Sequence, residues 1–582
     1  MKYPVLKVPG SSRNMVDTFM GYNHNLRIGD GEFFDMKNMT SDYYPVLSPR
    51  GARGVYAKPL NPQGLIAKDA LCYVDGADFV INGKSIDMGL SINDEDCPKQ
   101  LISMGAYVII MPDKKYINTQ DLTDFGNIEA STQTTEDVQF HLCTVDGAEY
   151  TDTEISATEP DPENVEYWID TSSTPNALKQ YSASSGMWVS IATTYIKITS
   201  LGIGAAFKQF DGVTISGIVS DKLQELNNTM IVWACGDDYI VVVGMLDSVV
   251  VQEAAQGAIT VERKMPKMDF VIESENRLWG CRYGVATNGE VVNEIYASKL
   301  GDFKNWNCFM GISTDSYAAS CGTDGQFTGA ITHLGYPLFF KENFVHKVYG
   351  NYPANFQIQT TTCSGVQKGC DKSLAIVNST LFYKGRNGIM AYDGSLPTEL
   401  SYAMGGKVYS DAVGGAHGNK YYISMKGTDG VYNLFVYDAA KGMWHKEDDF
   451  KADCFCSCHG EMYAISGVQI VTLLGSGTQE TQPVEWMVQT GIIGTDMPDM
   501  KYISRLTVRM SLAVGTIIRF FAQYDSMGDW VPLGTMSGTS LRSFSVPVRP
   551  RRCDHLRLRI EGVGEAKIYS ITKCTEQGSD LS

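Results

Sequence analysis

Ser379-Thr380-Leu381-Phe382-Tyr383, Asn419-Lys420-Tyr421-Tyr422-Ile423 and Glu461-Met462-Tyr463-Ala464-Ile465 repeat one pattern: a polar turn residue, then a short run of aromatic and aliphatic residues. The runs recur at roughly forty residues, the length of one four-stranded blade of a β-propeller. Working outward, the same unit is read in Leu71-Cys72-Tyr73-Val74 before Asp75-Gly76, Ala106-Tyr107-Val108-Ile109-Ile110 before Pro112-Asp113, and Asp238-Tyr239-Ile240-Val241-Val242-Val243 before Gly244. Asn276-Arg277-Leu278-Trp279-Gly280 and Tyr336-Pro337-Leu338-Phe339-Phe340 continue the series. Helical periodicity is scarce, so the fold class is all-β. About six to eight blades would fit. Small antiparallel sheets with apolar faces cannot cover themselves, whereas radial stacking covers them and leaves short edges. Ordinary β-sandwiches are the competing arrangement, because their turn signals come at similar intervals.

Two regions depart from this rhythm. Residues 120–205 are polar and Thr/Ser-rich and hold Tyr167-Trp168-Ile169-Asp170-Thr171, Tyr181 and Trp188, which predicts a small β module inserted into the propeller. From 479 to 582 the strands lengthen, and alternating Arg and aliphatic residues, as in His555-Leu556-Arg557-Leu558-Arg559-Ile560, predict a C-terminal β-sandwich of jelly-roll type. The domain expectation is therefore an extended N-terminal segment or closure over 1–55, a propeller over 56–119 and 206–478, the module over 120–205 and the sandwich over 479–582.

The 582 residues carry a net charge of −18, which speaks against a surface that grips nucleic acid. An acidic wall would instead let DNA slide past without friction. No apolar run approaches the ~18 residues of a membrane helix, and Met1–Gly10 shows no apolar signal segment, so no membrane insertion and synthesis into the cytoplasm are expected. The fourteen cysteines are then expected to be reduced.

Several stretches resemble tail-hub and nozzle-type β-propeller proteins of tailed bacteriophages, including packaged-DNA-stabilisation-like proteins. They are Phe34-Asp35-Met36-Lys37-Asn38-Met39-Thr40 with Tyr43-Tyr44-Pro45-Val46-Leu47-Ser48-Pro49-Arg50, Glu275 to Gly280 leading to Glu294–Ser298 and Gly301–Trp306, Asp499 to Leu506, and Pro550 to Leu558. The resemblance implies a structural virion component of the neck or tail, assembled in the host cytoplasm. Such a hub, nozzle or connector ring serves DNA ejection, with copies of itself and other neck or tail proteins as partners. DNA would pass through its lumen without sequence-specific binding. The alternative is a tail-tip or baseplate adhesin for host attachment, binding a host surface glycan through the aromatic-rich module.

No catalytic residue, metal ligand or cofactor site is nominated, and the chain is expected not to be an enzyme. The Gly-x-Ser-x-Gly elbow and the Walker loop are absent. Cys454-Phe455-Cys456-Ser457-Cys458-His459 offers zinc-type ligands at the wrong spacing, and alternation along a strand would bury the three thiols on one face. Cys363 and Cys370 flank a turn and are expected to stay reduced. The carboxylate groups Glu159/Asp161/Glu163 and Glu447/Asp448 read as solvated faces rather than a hydrolase pair. Tyr167, Trp168, Tyr181 and Trp188 are candidate sugar-stacking rings, with a small module core as the rival reading. Arg557 and Arg559, on one wet strand face, are candidates for a subunit interface in a ring of copies.

Overall fold

The computed structural model describes residues 11–150, 152–244, 252–255, 258–286, 289–479, 483–495, 500–538 and 540–577. Met1–Gly10 and Asp499, on which two of the readings above rest, lie outside the described residues. Among the described residues the chain is all-β: it is built of strands, with 3-10 turns at Gln224–Leu226, Pro353–Asn355, Asp371–Ser373 and Ser401–Met404, and it holds no α-helix. Two compact units divide it. One comprises residues 1–99, 339–345 and 361–582; the other comprises 100–338 and 346–360.

The first unit contains the antiparallel sheets Pro62–Ala67/Leu71–Asp75/Asp78–Ile81/Lys84–Asp87, Ala375–Val377/Thr380–Lys384/Ile389–Tyr392/Thr398–Glu399 and Tyr409–His417/Lys420–Gly427/Tyr432–Asp438/Met443–Lys446. In each, four consecutive strands pair in chain order. A further sheet follows the same order through Cys454–Cys458, Glu461–Ser466 and Gln469–Thr472, and then takes Gly54–Ala57 from the N-terminal region as its next strand. Tight turns set the register. Asn82-Gly83, Asn378-Ser379 and His459-Gly460 each join adjacent strands with both residues at positive φ, the geometry that matches the right-handed twist of a hairpin.

The same unit holds two sheets formed by the chain's two ends. Ser11–Val16 pairs with Ala566–Gln577, which pairs with Lys501–Leu512 and through it reaches Arg542–Val546. Six strands, Gly21–Tyr22, Glu32–Lys37, Glu485–Thr490, Leu556–Val563, Ile517–Tyr524 and Val531–Ser537, make the other. Residues 11–37 are thus strands of these sheets, where an extended segment was expected. Burial alternates strictly along Leu556–Val563, as the Arg/aliphatic pattern requires. The buried Trp486 indole lies against Gly562, where an added Cβ would come within 2.1 Å of the ring, so only glycine fits there.

The second unit contains Gln100–Met104/Tyr107–Met111/Lys115–Asn118/Phe125–Asn127 and Phe270–Ser274/Arg277–Val285/Val291–Ala297/Tyr317–Ser320, again four strands in chain order. The sheet Phe327–His333/Tyr336–Lys341/Phe344–Tyr349/Gln357–Thr362 holds residues of both units. Between Asn127 and Phe270 the strands from Ala130 to Arg263 pair with one another in three sheets of their own. They share a core of Val138, Phe140, Leu142, Ile169, Leu178, Ile196, Ile198 and Val261. This pairing differs from the expected 120–205 boundary at both ends. Phe125–Asn127 completes the preceding sheet, and the Tyr239–Val243 run joins Tyr195–Thr199 inside the module. Its apolar alternation is indistinguishable from that of the repeating units, so the run carried no mark of its sheet.

Candidate functional site

The aromatic cluster packs on the module sheet formed by Thr153–Ser156, Tyr167–Asp170, Ala177–Ser182 and Met187–Ser190. Trp168 and Trp188 meet edge to face at 5.7 Å, and Tyr181 meets Trp188 at 5.6 Å across the hairpin. Trp168 is only 6% exposed, its Nε1 donates to the Ser156 carbonyl at 3.0 Å, and the Lys179 ammonium stands 4.5 Å above its ring. Tyr167 projects to the opposite face, where it packs on Tyr150 and the module core. A sugar-stacking platform needs an open ring face. Here the face of Trp168 is covered by Lys179, and the four residues are divided between two sides of one sheet.

Arg557 and Arg559 do share one face of the Leu556–Val563 strand, but both are engaged. Arg557 lies 4.9 Å above the Phe34 ring. Arg559 Nη2 donates to Glu561 Oε1 at 2.6 Å, and its guanidinium stands 5.7 Å from the Trp530 ring. The strip therefore presents guanidiniums already oriented by neighbours, not two free cations.

Cys454, Cys456 and Cys458 lie on one side of their strand against Leu65, Leu71, Cys97, Ile465 and Ile470. Phe455 packs on the other side. Burial pushes the Cys454 thiol up to about 11, so it stays protonated and a poor metal ligand at neutral pH. Among the described residues, no group of three or more His, Cys, Asp or Glu side chains is arranged to hold a metal ion. Cys363 and Cys370 are free thiols.

The carboxylate groups behave in opposite ways. Glu159, Asp161 and Glu163 are exposed, as expected of a solvated run. Glu447 and Asp448 are not solvated, which corrects the sequence reading. Arg53 Nη2 donates to Glu447 at 2.7 Å and to Asp448 at 2.8 Å, while its Nη1 donates to the other Asp448 oxygen at 2.8 Å. Arg50 adds a contact to Asp448 at 3.3 Å, and the Arg53 guanidinium also faces the Phe450 ring at 4.5 Å. Burial alone would push the Asp448 carboxyl up, but Arg53 and Arg50 together outweigh it and hold it below its ordinary value.

Beside these pairs a cavity of about 230 Å³ is lined by Asp42, Lys420, Tyr422, His445 and Glu447. His445 is 4% exposed, and its Nδ1 is buried with no hydrogen-bond partner. Burial, then the nearby Lys420 ammonium, pushes this imidazole down to about 3, so it is neutral at physiological pH. The group holds carboxylates, a cation and a neutral imidazole in one place, none of which the sequence reading brought together. The one local signal was Arg50-x-x-Arg53, since a glutamate–aspartate run in a buried setting needs two cations beside it.

No family model and no curated protein matches the chain. Among solved structures it is similar to an exo-β-1,3-galactanase from Phanerochaete chrysosporium, at 10% identity and a TM-score of 0.21, over 51% of this chain and 95% of that one. A GH43 glycoside hydrolase gives 10% identity and a TM-score of 0.20 over 53% and 96%. Trypanosoma rangeli sialidase gives 9% identity and a TM-score of 0.20 over 97% and 96%. The expectation that this chain is not an enzyme is corrected: the solved structures it is similar to are glycoside hydrolases and a sialidase. At such low scores the likeness transfers no activity and no residue role to this chain.

Proposed function

We propose that this chain is a structural component of a tailed-bacteriophage particle, in the neck or tail, where it forms part of a ring through which DNA passes. In this reading the seven sheets whose strands pair in chain order are the blades of one β-propeller. The 130–263 module is inserted between two blades, and the end strands form a C-terminal β-sandwich. The observation that carries the reading is the sheet in which Gly54–Ala57 pairs with Gln469–Thr472. A strand from before the first blade, paired in the last one between Gln469–Thr472 and Thr478–Gln479, ties the ends of a cyclic array and covers the Gln469–Thr472 edge.

Charge supports assembly into copies. Residues 501–577 hold twelve Lys and Arg against six Asp and Glu, in a chain whose net charge is −18. A basic end and an acidic remainder are complementary surfaces, which a closed ring requires of each subunit. The test is a density map of purified particles together with their protein content. Multiple copies around the tail axis are expected, and a chain missing from washed, intact particles would refute the assignment. In solution, sedimentation should show an oligomer that falls apart as salt rises, because exposed ion pairs are screened.

A further inference from the structure

A second cavity, of about 490 Å³, opens beside the Thr380–Lys384 and Ile389–Tyr392 strands. Three cations line it, Lys384, Arg386 and Lys407, against a single carboxylate, Glu399. In a chain of net charge −18 this local excess runs against the overall balance. Glu399 is already occupied, accepting from Ser401 Oγ at 2.6 Å.

The state of the cations is what makes the cavity informative. Lys384 is 4% exposed, and its ammonium donates only to neutral acceptors, Gln367 Oε1 at 2.9 Å and the Gly385 carbonyl at 2.6 Å. Lys384 forms no salt bridge among the described residues, and the Glu399 carboxylate, which lines the same cavity, acts on it only through space. Burial pushes the Lys384 ammonium below its ordinary value, against the opposing influence of Cys370 and Glu399. Arg386 and Lys407 are exposed and likewise have no ion-pair partner among the described residues. An anion entering the cavity would meet the exposed Arg386 and Lys407, while Lys384 is buried in the lining.

The remaining lining says what kind of anion. The cavity is several times larger than a lone carboxylate or phosphate would fill, and lies within the usual range for small-molecule sites. Ile389, Met404 and Met425 also line it but are almost fully buried. Tyr402, 78% exposed, and the exposed Asn387 line the same cavity. Two exposed cations, an exposed amide and an exposed aromatic ring match a pyranose that carries a carboxylate.

We propose that this cavity binds a carboxylate-bearing sugar residue, with Arg386 and Lys407 holding the carboxylate over Lys384 and Tyr402 stacking on the ring. The proposal does not rest on the virion reading: particle content and saccharide titration fail separately.

The test is calorimetric titration of the full chain with two acidic saccharides, hyaluronan tetrasaccharide and 3′-sialyllactose, beside the neutral chitotetraose and lactose, and with inorganic phosphate. At least one acidic saccharide should bind tenfold or more tightly than its neutral counterpart and than phosphate. Arg386→Glu and Lys407→Glu should each weaken it tenfold or more, whereas Lys58→Glu, an equal charge change at an exposed site outside the cavity, should leave it unchanged. Both positions are exposed, so the variants should fold; Arg386→Gln replaces Arg386→Glu if melting curves show otherwise. The proposal is overturned if neither acidic saccharide outbinds its neutral partner, if phosphate binds as well, or if the variants bind like the parent chain.

Discussion

Glu447-Asp448 and Glu159-Glu163 are both short acidic stretches between strands, yet one is buried under two guanidiniums and the other stands in water. What separates them lies elsewhere in the chain. Arg53 reaches Asp448 across 395 positions, while among the described residues no cation pairs with the 159–163 run. Acidic residues clustered in sequence are thus no guide to solvation; the arrival of a cation from a distant segment is.

The largest expected effect breaks the buried side of this comparison. Arg53→Ala leaves Glu447 and Asp448 buried without their main counter-charge and should destabilise the protein by about 3–5 kcal/mol. Chemical denaturation of the first unit's transition measures it. A loss below ~1 kcal/mol would mean the two carboxylates are relieved by water, like the exposed run.

A second effect is read from acid. The folded His445 resists protonation until about pH 3, whereas in the unfolded chain it takes up a proton near its ordinary 6.5. The unfolded state therefore binds the extra proton between these values. Stability is fully present above pH 6.5 and falls as pH drops toward 3, by up to about 1.4 kcal/mol per pH unit. Asp448 acts in the same direction lower down, because its depressed carboxyl contributes stability above its ordinary value that is lost as pH falls through the folded one. Melting temperatures from pH 7.5 to 4 should decline, and His445→Gln should flatten the upper part of that decline. An unchanged slope in the variant would remove His445 from the account.

The smallest effect sharpens the other side. Asp161→Asn, in the exposed run, should shift stability by no more than about 0.5 kcal/mol and leave its pH dependence as it was. A shift comparable to that of Arg53→Ala would show that burial is not what distinguishes the two stretches.

The same contrast governs what could be read in advance. The repeating strand runs and their turns were legible, because Asn82-Gly83 and Asn378-Ser379 announce two-residue hairpins and the strands beside them alternate or stay apolar. The one-sided placement of Cys454, Cys456 and Cys458 was legible for the same reason. The limits of the inserted module were not, since Tyr239–Val243 reads like any strand of the repeating sheets. Nor was the state of the aromatic cluster: alternation places Trp168 and Tyr167 on opposite faces, but only packing sets Lys179 over the Trp168 ring.

By itself the sequence determined that this protein is all-β, where about a dozen of its strand runs lie, and which residues alternate across them. These follow from backbone sterics and turn dihedrals acting over a few residues. The tertiary structure alone decided that Gly54–Ala57 completes a sheet with Gln469–Thr472, that residues 11–37 join strands near the C-terminus, and that Arg53 neutralises Glu447 and Asp448. Those outcomes depend on which free edge or buried charge is left uncovered once the local elements have formed. That is a property of the whole folded chain, which no local stretch of residues encodes.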